Sequence, residues 1–252
     1  RFVYGLIYGF LLSMIVYNSM LFIGLRDRSY LYYSAYLALF ALLNITYSGH
    51  GFAWLWPNNP ALQNHCILLF MVLFGCSGLA FTSSFLSLPK YAPKSQSLLQ
   101  ALCILALCSL ALSLLLNAQI AEALTAFAFG LAASIGMLIL GIIALKHRHV
   151  AGHYYLAATF FGMLGTLITT LTVWGLLPFN GWSYGAVKIG IILQAILLAL
   201  GLSFKVRQQQ KDRLQAERMA ERDPLTGLHN RRGFHVQAST IWNTAVRNQR
   251  PL

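Results

Sequence analysis

Seven long apolar runs, separated by short polar breaks, organise residues 2–205. They cover approximately Phe2–Leu25, Tyr30–Leu55, Leu62–Leu88, Leu98–Leu116, Ala123–Leu145, Tyr154–Leu177 and Tyr184–Lys205. Each is long enough to cross a hydrocarbon layer of about 30 Å, which takes about 20 helical residues. Six contain no Lys, Arg, Asp or Glu, and the seventh carries only Lys188 ahead of its closing Lys205. Lipid cannot satisfy stray backbone N–H and C=O groups, so runs of this kind must be helices. The first run is not a cleavable leader: it is too long, lacks a small-residue cleavage site and ends in Leu25-Arg26-Asp27-Arg28. The pattern predicts an all-α membrane protein, a seven-transmembrane helix bundle.

Composition agrees with the pattern. Hydrophobic residues make up 58% of the 252 positions and charged residues 10%, whereas about a quarter of a soluble domain is charged. The four cysteines, Cys66, Cys76, Cys103 and Cys108, all fall inside apolar runs without a CxxC pair. They are expected to pack as small buried hydrophobes. The chain opens on Arg1 and stops at Pro251-Leu252 in mid-pattern, which reads as a piece of a longer protein.

A net charge of +12 raises the question of nucleic acid, but its distribution gives another answer. Arg26 and Arg28 follow the first run, Lys90 and Lys94 the third, and Lys146 and Arg148 the fifth. Ten of the eighteen basic residues lie from Lys205 onward, and the breaks after runs two, four and six hold none. By the positive-inside rule the first, third and fifth loops and the tail are cytoplasmic, and the N-terminus is outside. The basic residues then set topology and solvate a stalk, and no nucleic-acid partner is expected. Trp54 and Trp56 before Pro57-Asn58-Asn59-Pro60, and Trp174 and Trp182 around the sixth loop, suit the headgroup layer.

Polar residues inside the runs are candidates for function. Lys188 has two uses open to it, snorkelling to the outer headgroups or serving as counter-ion to a ligand. Asn44 and Gln194 are suited to hydrogen bonds between helices. His50 and His65 flank the second outer loop without a third metal ligand. His149 and His153 have metal-compatible i,i+4 spacing, but with Lys146, His147 and Arg148 they fit a basic interfacial loop better. No metal site is assigned. Gly162 and Gly165, like Gly136 and Gly141, permit close helix approach. No HExxH, GxxxxGK[ST], GxSxG or GxGxxG motif occurs in the runs. No row of charges or pair of broken helices marks a transport path, which argues against a transporter.

Beyond the seventh run the sequence turns polar and strongly helix-forming through Arg222, so the last helix is expected to continue as a rod of about 58 Å from Tyr184. Its apolar positions make no clean heptad seam, leaving a weak coiled coil or a plain spacer helix. The helix must stop near Asp223-Pro224. Asn230 is placed to cap a new helix, in which Phe234, Ala238, Ile241, Trp242 and Ala245 share one face.

The string Asp223-Pro-Leu225-Thr226-Gly227-Leu228-His-Asn230-Arg231-Arg232-Gly-Phe234 resembles the opening motif of GGDEF domains, the diguanylate cyclases, and is complete at all nine specified positions. The resemblance implies an α/β cyclase domain begun but incomplete, with Asp223, Arg231 and Arg232 in structural, coupling roles. The runs themselves resemble the 7TMR-DISM family of seven-transmembrane receptors. The features that carry this likeness are Tyr17-Asn18, Leu25-Arg26-Asp27-Arg28-Ser29-Tyr30-Leu31-Tyr32-Tyr33, Trp56-Pro57-Asn58, and Phe85-Leu86 followed by Ala92-Pro93. Such receptors often carry a periplasmic sensor domain before the first span.

Three regions follow: a sensor module over 2–206, a linker helix over 207–222, and the start of a GGDEF domain over 223–252. The resemblances imply a multi-pass sensor of the bacterial inner membrane whose parent protein makes cyclic di-GMP from two GTP. Mg²⁺ belongs to the cyclase domain, and a homodimer is expected through stalk and cyclase. The metal-binding carboxylates, the guanine contacts and the GG[DE]EF turn are not among residues 1–252, so no catalytic residue is named and this stretch alone is not competent. The alternative is a receptor whose degenerate GGDEF domain binds cyclic di-GMP or a partner. A histidine kinase would place a histidine in the stalk, and residues 205–222 have none.

Overall fold

A computed structural model describes residues 2–57, 59–146, 151–173, 175–220, 226, 228 and 230–248. Ten helices follow one another, and no strand occurs among the described residues. They are α1 (Phe2–Leu25), α2 (Arg28–Tyr47), α3 (His50–Trp54), α4 (Pro60–Phe85), α5 (Leu88–Tyr91), α6 (Pro93–Leu115), α7 (Gln119–Lys146), α8 (Gly152–Val173), α9 (Gly181–Ala220) and α10 (Arg231–Arg247). The chain divides into two units, residues 1–202 and 203–252.

The boundaries follow from local chemistry. Asp27 accepts from Ser29 N–H to cap α2, and Asn59 accepts from Leu62 N–H to cap α4, whose first residue is Pro60. Asn180 accepts from the N–H groups of Trp182 and Ser183 at the start of α9. These caps satisfy orphan donors that a helix cannot satisfy itself. The ends of α1, α4 and α6 turn through left-handed residues at Arg26, Ser87 and Asn117.

Among the described residues, six helices are long and apolar enough to cross a membrane: α1, α4, α6, α7, α8 and α9. The second run behaves differently from expectation. It was predicted to span Tyr30–Leu55, but α2 stops at Tyr47, the chain turns at Ser48 and Gly49 (φ 79°), and α3 follows. The reason α2 is less apolar is its position. Tyr33, Tyr36, Leu37 and Phe40 are buried, and α2 packs on α1, α4 and α9. A helix that faces other helices can carry hydroxyls, provided they find partners. Tyr33 OH donates to the Ala195 carbonyl at 2.6 Å, and Tyr36 OH donates to Gln194 Oε1 at 3.3 Å.

Cross-helix contacts fix the directions within residues 1–202. Tyr8 meets Asn44 and Ser19 meets Ser34, so α1 and α2 are antiparallel. Ser29 meets Ser84 and Thr46 meets Gln63, so α2 and α4 are antiparallel. His65 meets Glu122 while Gly78 lies against Met137, so α4 and α7 run parallel. The outward faces of the bundle are apolar, with Leu12, Met20, Leu98, Leu105, Leu131 and Leu167 exposed. Such a surface fits lipid and is too large and continuous for water.

The cysteines depart from expectation. None is buried: Cys66, Cys76 and Cys103 are half-buried and Cys108 is exposed, because Cys108 lies on the outward face of α6. Of the expected close-approach glycines, Gly165 meets Gly190, which the sequence did not single out, and the two bring α8 and α9 nearly into backbone contact. A Cβ on Gly165 would lie 2.6 Å from the Ala186 carbonyl oxygen. Gly162 gives room to the Gln194 side chain, and Gly141 to Tyr155 and Leu156. Gly136 faces open space and supports no approach.

In the second unit, Asn230 Oδ1 accepts from Gly233 N–H at 3.0 Å and caps α10 as expected. Phe234, Ile241, Trp242 and Val246 form an exposed apolar face.

Gly165→Ala and Gly190→Ala are expected to destabilise the bundle by roughly 1–3 kcal/mol each, because backbone cannot move aside as a flexible side chain can. Gly136→Ala should be neutral or slightly stabilising. Thermal unfolding of the three variants in lipid nanodiscs checks the ordering.

Candidate functional site

Four spanning helices, α1, α4, α7 and α9, begin at the end of the bundle where α2 stops, and two sets of linked polar side chains lie there. Lys188 lies seven residues into α9. Its Nζ donates to Tyr4 OH at 2.8 Å and sits 4.0 Å from the centre of the Tyr4 ring and 5.7 Å from that of Tyr184. Contact of a partly desolvated ammonium with aromatic faces contributes about 0.5–2 kcal/mol. The ammonium is engaged between α1 and α9, an arrangement compatible with both uses open to Lys188 in the sequence. No carboxylate lies within ion-pair distance of it among the described residues.

Tyr4 joins Lys188 to a second set of groups. Its ring meets that of His50 edge-on at 5.1 Å. His50 Nδ1 and Ser48 Oγ share a hydrogen bond at 2.6 Å. Ser48 Oγ is 3.1 Å from Tyr8 OH, which also donates to Asn44 Oδ1 at 3.3 Å. Asn44 is buried. The sequence named Asn44 and Lys188 separately, and the structure places them at the two ends of one chain of contacts through Tyr8, Ser48, His50 and Tyr4. Gln194 lies deeper, against Tyr36 and the Gly162 backbone.

A second constellation was missed. Glu122, in the first turn of α7, is fully buried, and its Oε2 is 2.7 Å from His65 Nδ1 on α4. Its Oε1 is buried without a hydrogen-bond partner. The predicted fifth run began one residue later, at Ala123, so this carboxylate fell into a loop. The helix starts earlier because Asn117, left-handed at φ 49°, closes α6 and frees Gln119 to begin α7. The signal available in the sequence was an acidic residue ahead of an apolar run, a favoured place in a helix dipole. His50 and His65 therefore serve different partners, and among the described residues no three His, Cys, Asp or Glu converge as a metal site.

In the second unit the opening motif is described only in part. Asp223, Leu225 and Gly227 lie outside the described residues, as do His147, Arg148, His149 and Trp174 in the first unit. Leu228 N–H is 3.4 Å from Thr226 Oγ1, Asn230 caps α10, and Leu228, Arg231 and Phe234 are exposed. Arg232 is the second residue of α10, and its side chain lies outside the described residues.

Apolar helices with hydrogen-bonded polar groups turned inward define a multi-pass helical membrane protein. Residues 1–205 match the 7TMR-DISM family, 7TM diverse intracellular signalling. The chain belongs to that family, whose module is a membrane sensory receptor. Comparison with curated proteins and with solved structures gives no match.

His65→Phe removes the only side-chain partner, among the described residues, of a fully buried carboxylate and is expected to destabilise the bundle by about 3 kcal/mol. In the double variant His65→Phe/Glu122→Leu no charge is left stranded, and most of that loss should be recovered. Equal unfolding temperatures for wild type and His65→Phe would show that the pair does not hold α4 to α7.

Proposed function

We propose that this chain is the membrane sensor of a bacterial inner-membrane receptor, and that α9 passes its stimulus to a diguanylate cyclase domain opening at Asp223. The observation that carries the reading is the complete cyclase opening motif directly after a receptor module's last helix. Supporting it, α9 is one helix from Gly181 to Ala220, with no Gly or Pro after Gly201. The exposed apolar face of α10 is what a helix carries when it packs against a further layer.

In this reading the protein crosses the membrane seven times. What supports a seventh crossing is α2: twenty residues reach about 30 Å at 1.5 Å each, and it lies antiparallel between two helices apolar enough to span. The alternation of basic loops supports an outside N-terminus and a cytoplasmic tail. The end that holds Lys188, Tyr4, His50 and the His65–Glu122 pair is then the periplasmic end, where a stimulus arrives.

The parent reaction joins two GTP into cyclic di-GMP with release of two pyrophosphates, in a dimer of cyclase domains. Mg²⁺ would serve that domain. The described residues do not fit it, since no cluster of metal ligands occurs among them, and no step is assigned to this chain. Its own part is to hold and move α9.

Rigid coupling through α9 makes helical phase matter. Inserting two alanines near Gln209 turns the following residues by about 200°, whereas seven return them to within about 20° of register. In the full-length protein, the two-residue insertion should abolish regulated cyclic di-GMP formation and the seven-residue insertion should restore it. Equal regulation in both would contradict coupling through the helix. Binding of cyclic di-GMP without GTP turnover would favour a degenerate domain.

A further inference from the structure

At the opposite end of the first unit, a recess of about 420 Å³ lies where α1 ends and α2 begins. It is lined by Phe22, Ile23, Arg26, Arg28, Leu31 and Tyr32. The sensor reading above makes no use of it, although its residues fall in the Leu25-Arg26-Asp27-Arg28 stretch that stands out in the sequence.

Both arginines sit where local backbone preference would not put them. Arg26 has φ 54° and closes α1 through its N–H to the Phe22 carbonyl at 2.8 Å. That left-handed position is one where glycine is the usual choice. Arg28 is the first residue of α2, capped by Asp27 through Ser29 N–H. A cation there opposes the helix dipole, whose amino end favours negative charge. The positive-inside rule asks for basic charge in this loop but not at these two positions. Neither guanidinium has an ion-pair partner among the described residues. An anion in the recess would answer both guanidiniums together, beside an α2 amino end that Asp27 already caps.

The walls specify what kind of anion. Phe22 and Ile23 make the α1 side apolar, and Leu31 of α2 adds to the apolar lining. Val16, Met20 and Ile23, exposed at i, i+4 and i+7, continue that side as a strip along α1. A free inorganic anion has no use for such a strip, whereas an acyl chain does. Basic pockets at the cytoplasmic side of membrane helices suit anionic headgroups.

We propose that the Arg26–Arg28 recess is a binding site for an anionic phospholipid. The phosphate lies between the two guanidiniums, and an acyl chain follows the Val16–Met20–Ile23 strip toward the bilayer centre. The site needs only that the chain is a membrane protein and does not depend on which domain follows it. The orientation proposed above assigns it to the inner leaflet.

The test uses the full chain in symmetric nanodiscs of phosphatidylcholine and phosphatidylglycerol, with retained lipid counted by native mass spectrometry. Arg26→Gly keeps the left-handed turn while removing the side chain, and Arg28→Gln keeps length without charge. Wild type should retain phosphatidylglycerol in preference to phosphatidylcholine. The Arg26→Gly/Arg28→Gln protein should lose that preference by roughly 10–30-fold, as expected for two cations at a membrane surface. Its unfolding temperature should be equal or higher, which separates lipid loss from misfolding. Lys90→Gln/Lys94→Gln, charge-matched on the same side of the bundle, should retain the preference. The proposal is overturned if the arginine variant keeps the lipid, or if the lysine variant loses as much, which would mean diffuse attraction. Displacement of the lipid by millimolar inorganic phosphate alone would likewise overturn it in favour of a simple phosphate site.

Discussion

Hydrocarbon neither donates nor accepts hydrogen bonds, so every polar side chain carried into this bundle has to find its partner on another helix. That requirement explains why α2 can be more polar than α1, α4, α6, α7 and α8 and still pack against α1, α4 and α9. Its Tyr33 and Tyr36 hydroxyls are answered by the Ala195 carbonyl and by Gln194 on α9. Ser29 meets Ser84 on α4, and Thr82 on α4 meets Tyr155 on α8 at 2.7 Å. These bonds give α2, α4, α8 and α9 fixed mutual registers that apolar packing alone leaves free to slide. The Gly165–Gly190 approach adds van der Waals contact at the same α8–α9 seam.

The two polar constellations at the Tyr4 end differ in kind. The Asn44–Tyr8–Ser48–His50–Tyr4–Lys188 series is half-buried along most of its length and made of neutral or cationic groups. It touches α1, α2, α3 and α9, so a change in any one contact is felt by α9, which runs on to Ala220. The His65–Glu122 pair is tighter and strands one carboxylate oxygen in an apolar setting. Both constellations share an end of the bundle while serving different helices, which gives the sensor two distinct places to be perturbed.

Much of this architecture was legible in the sequence because lipid enforces a simple code. Length of apolar run and position of basic loops sufficed for the helices, and six meet the demands of spanning by themselves. The ends were less legible. Ser48 and Gly49 stop α2 well before the apolar composition does, since a turn residue outweighs weak hydropathy. Glu122 was hidden because a hydropathy window discards the polar first turn of a helix, although that turn is buried here. Lys188, Asn44 and Gln194 were identifiable as unusual residues, but their partners were not. A contact such as Tyr4 to Lys188 spans 184 positions, and no local pattern encodes it. The orphaned Oε1 of Glu122 is a property of three-dimensional packing alone.

The account stands on α2 crossing the bilayer between α1 and α4 despite its tyrosines. The most direct measurement is labelling by a membrane-impermeant maleimide in sealed, right-side-out vesicles, with the four native cysteines replaced. Single cysteines at Asp27, Gly49, Lys90 and Asn180 report the four relevant loops. The account predicts that Gly49→Cys and Asn180→Cys react from outside, and that Asp27→Cys and Lys90→Cys react only after the membrane is opened. Reaction of Asp27→Cys and Gly49→Cys from the same side would show that α2 does not cross, and would contradict the seven-span arrangement on which the assignment of a sensing end rests.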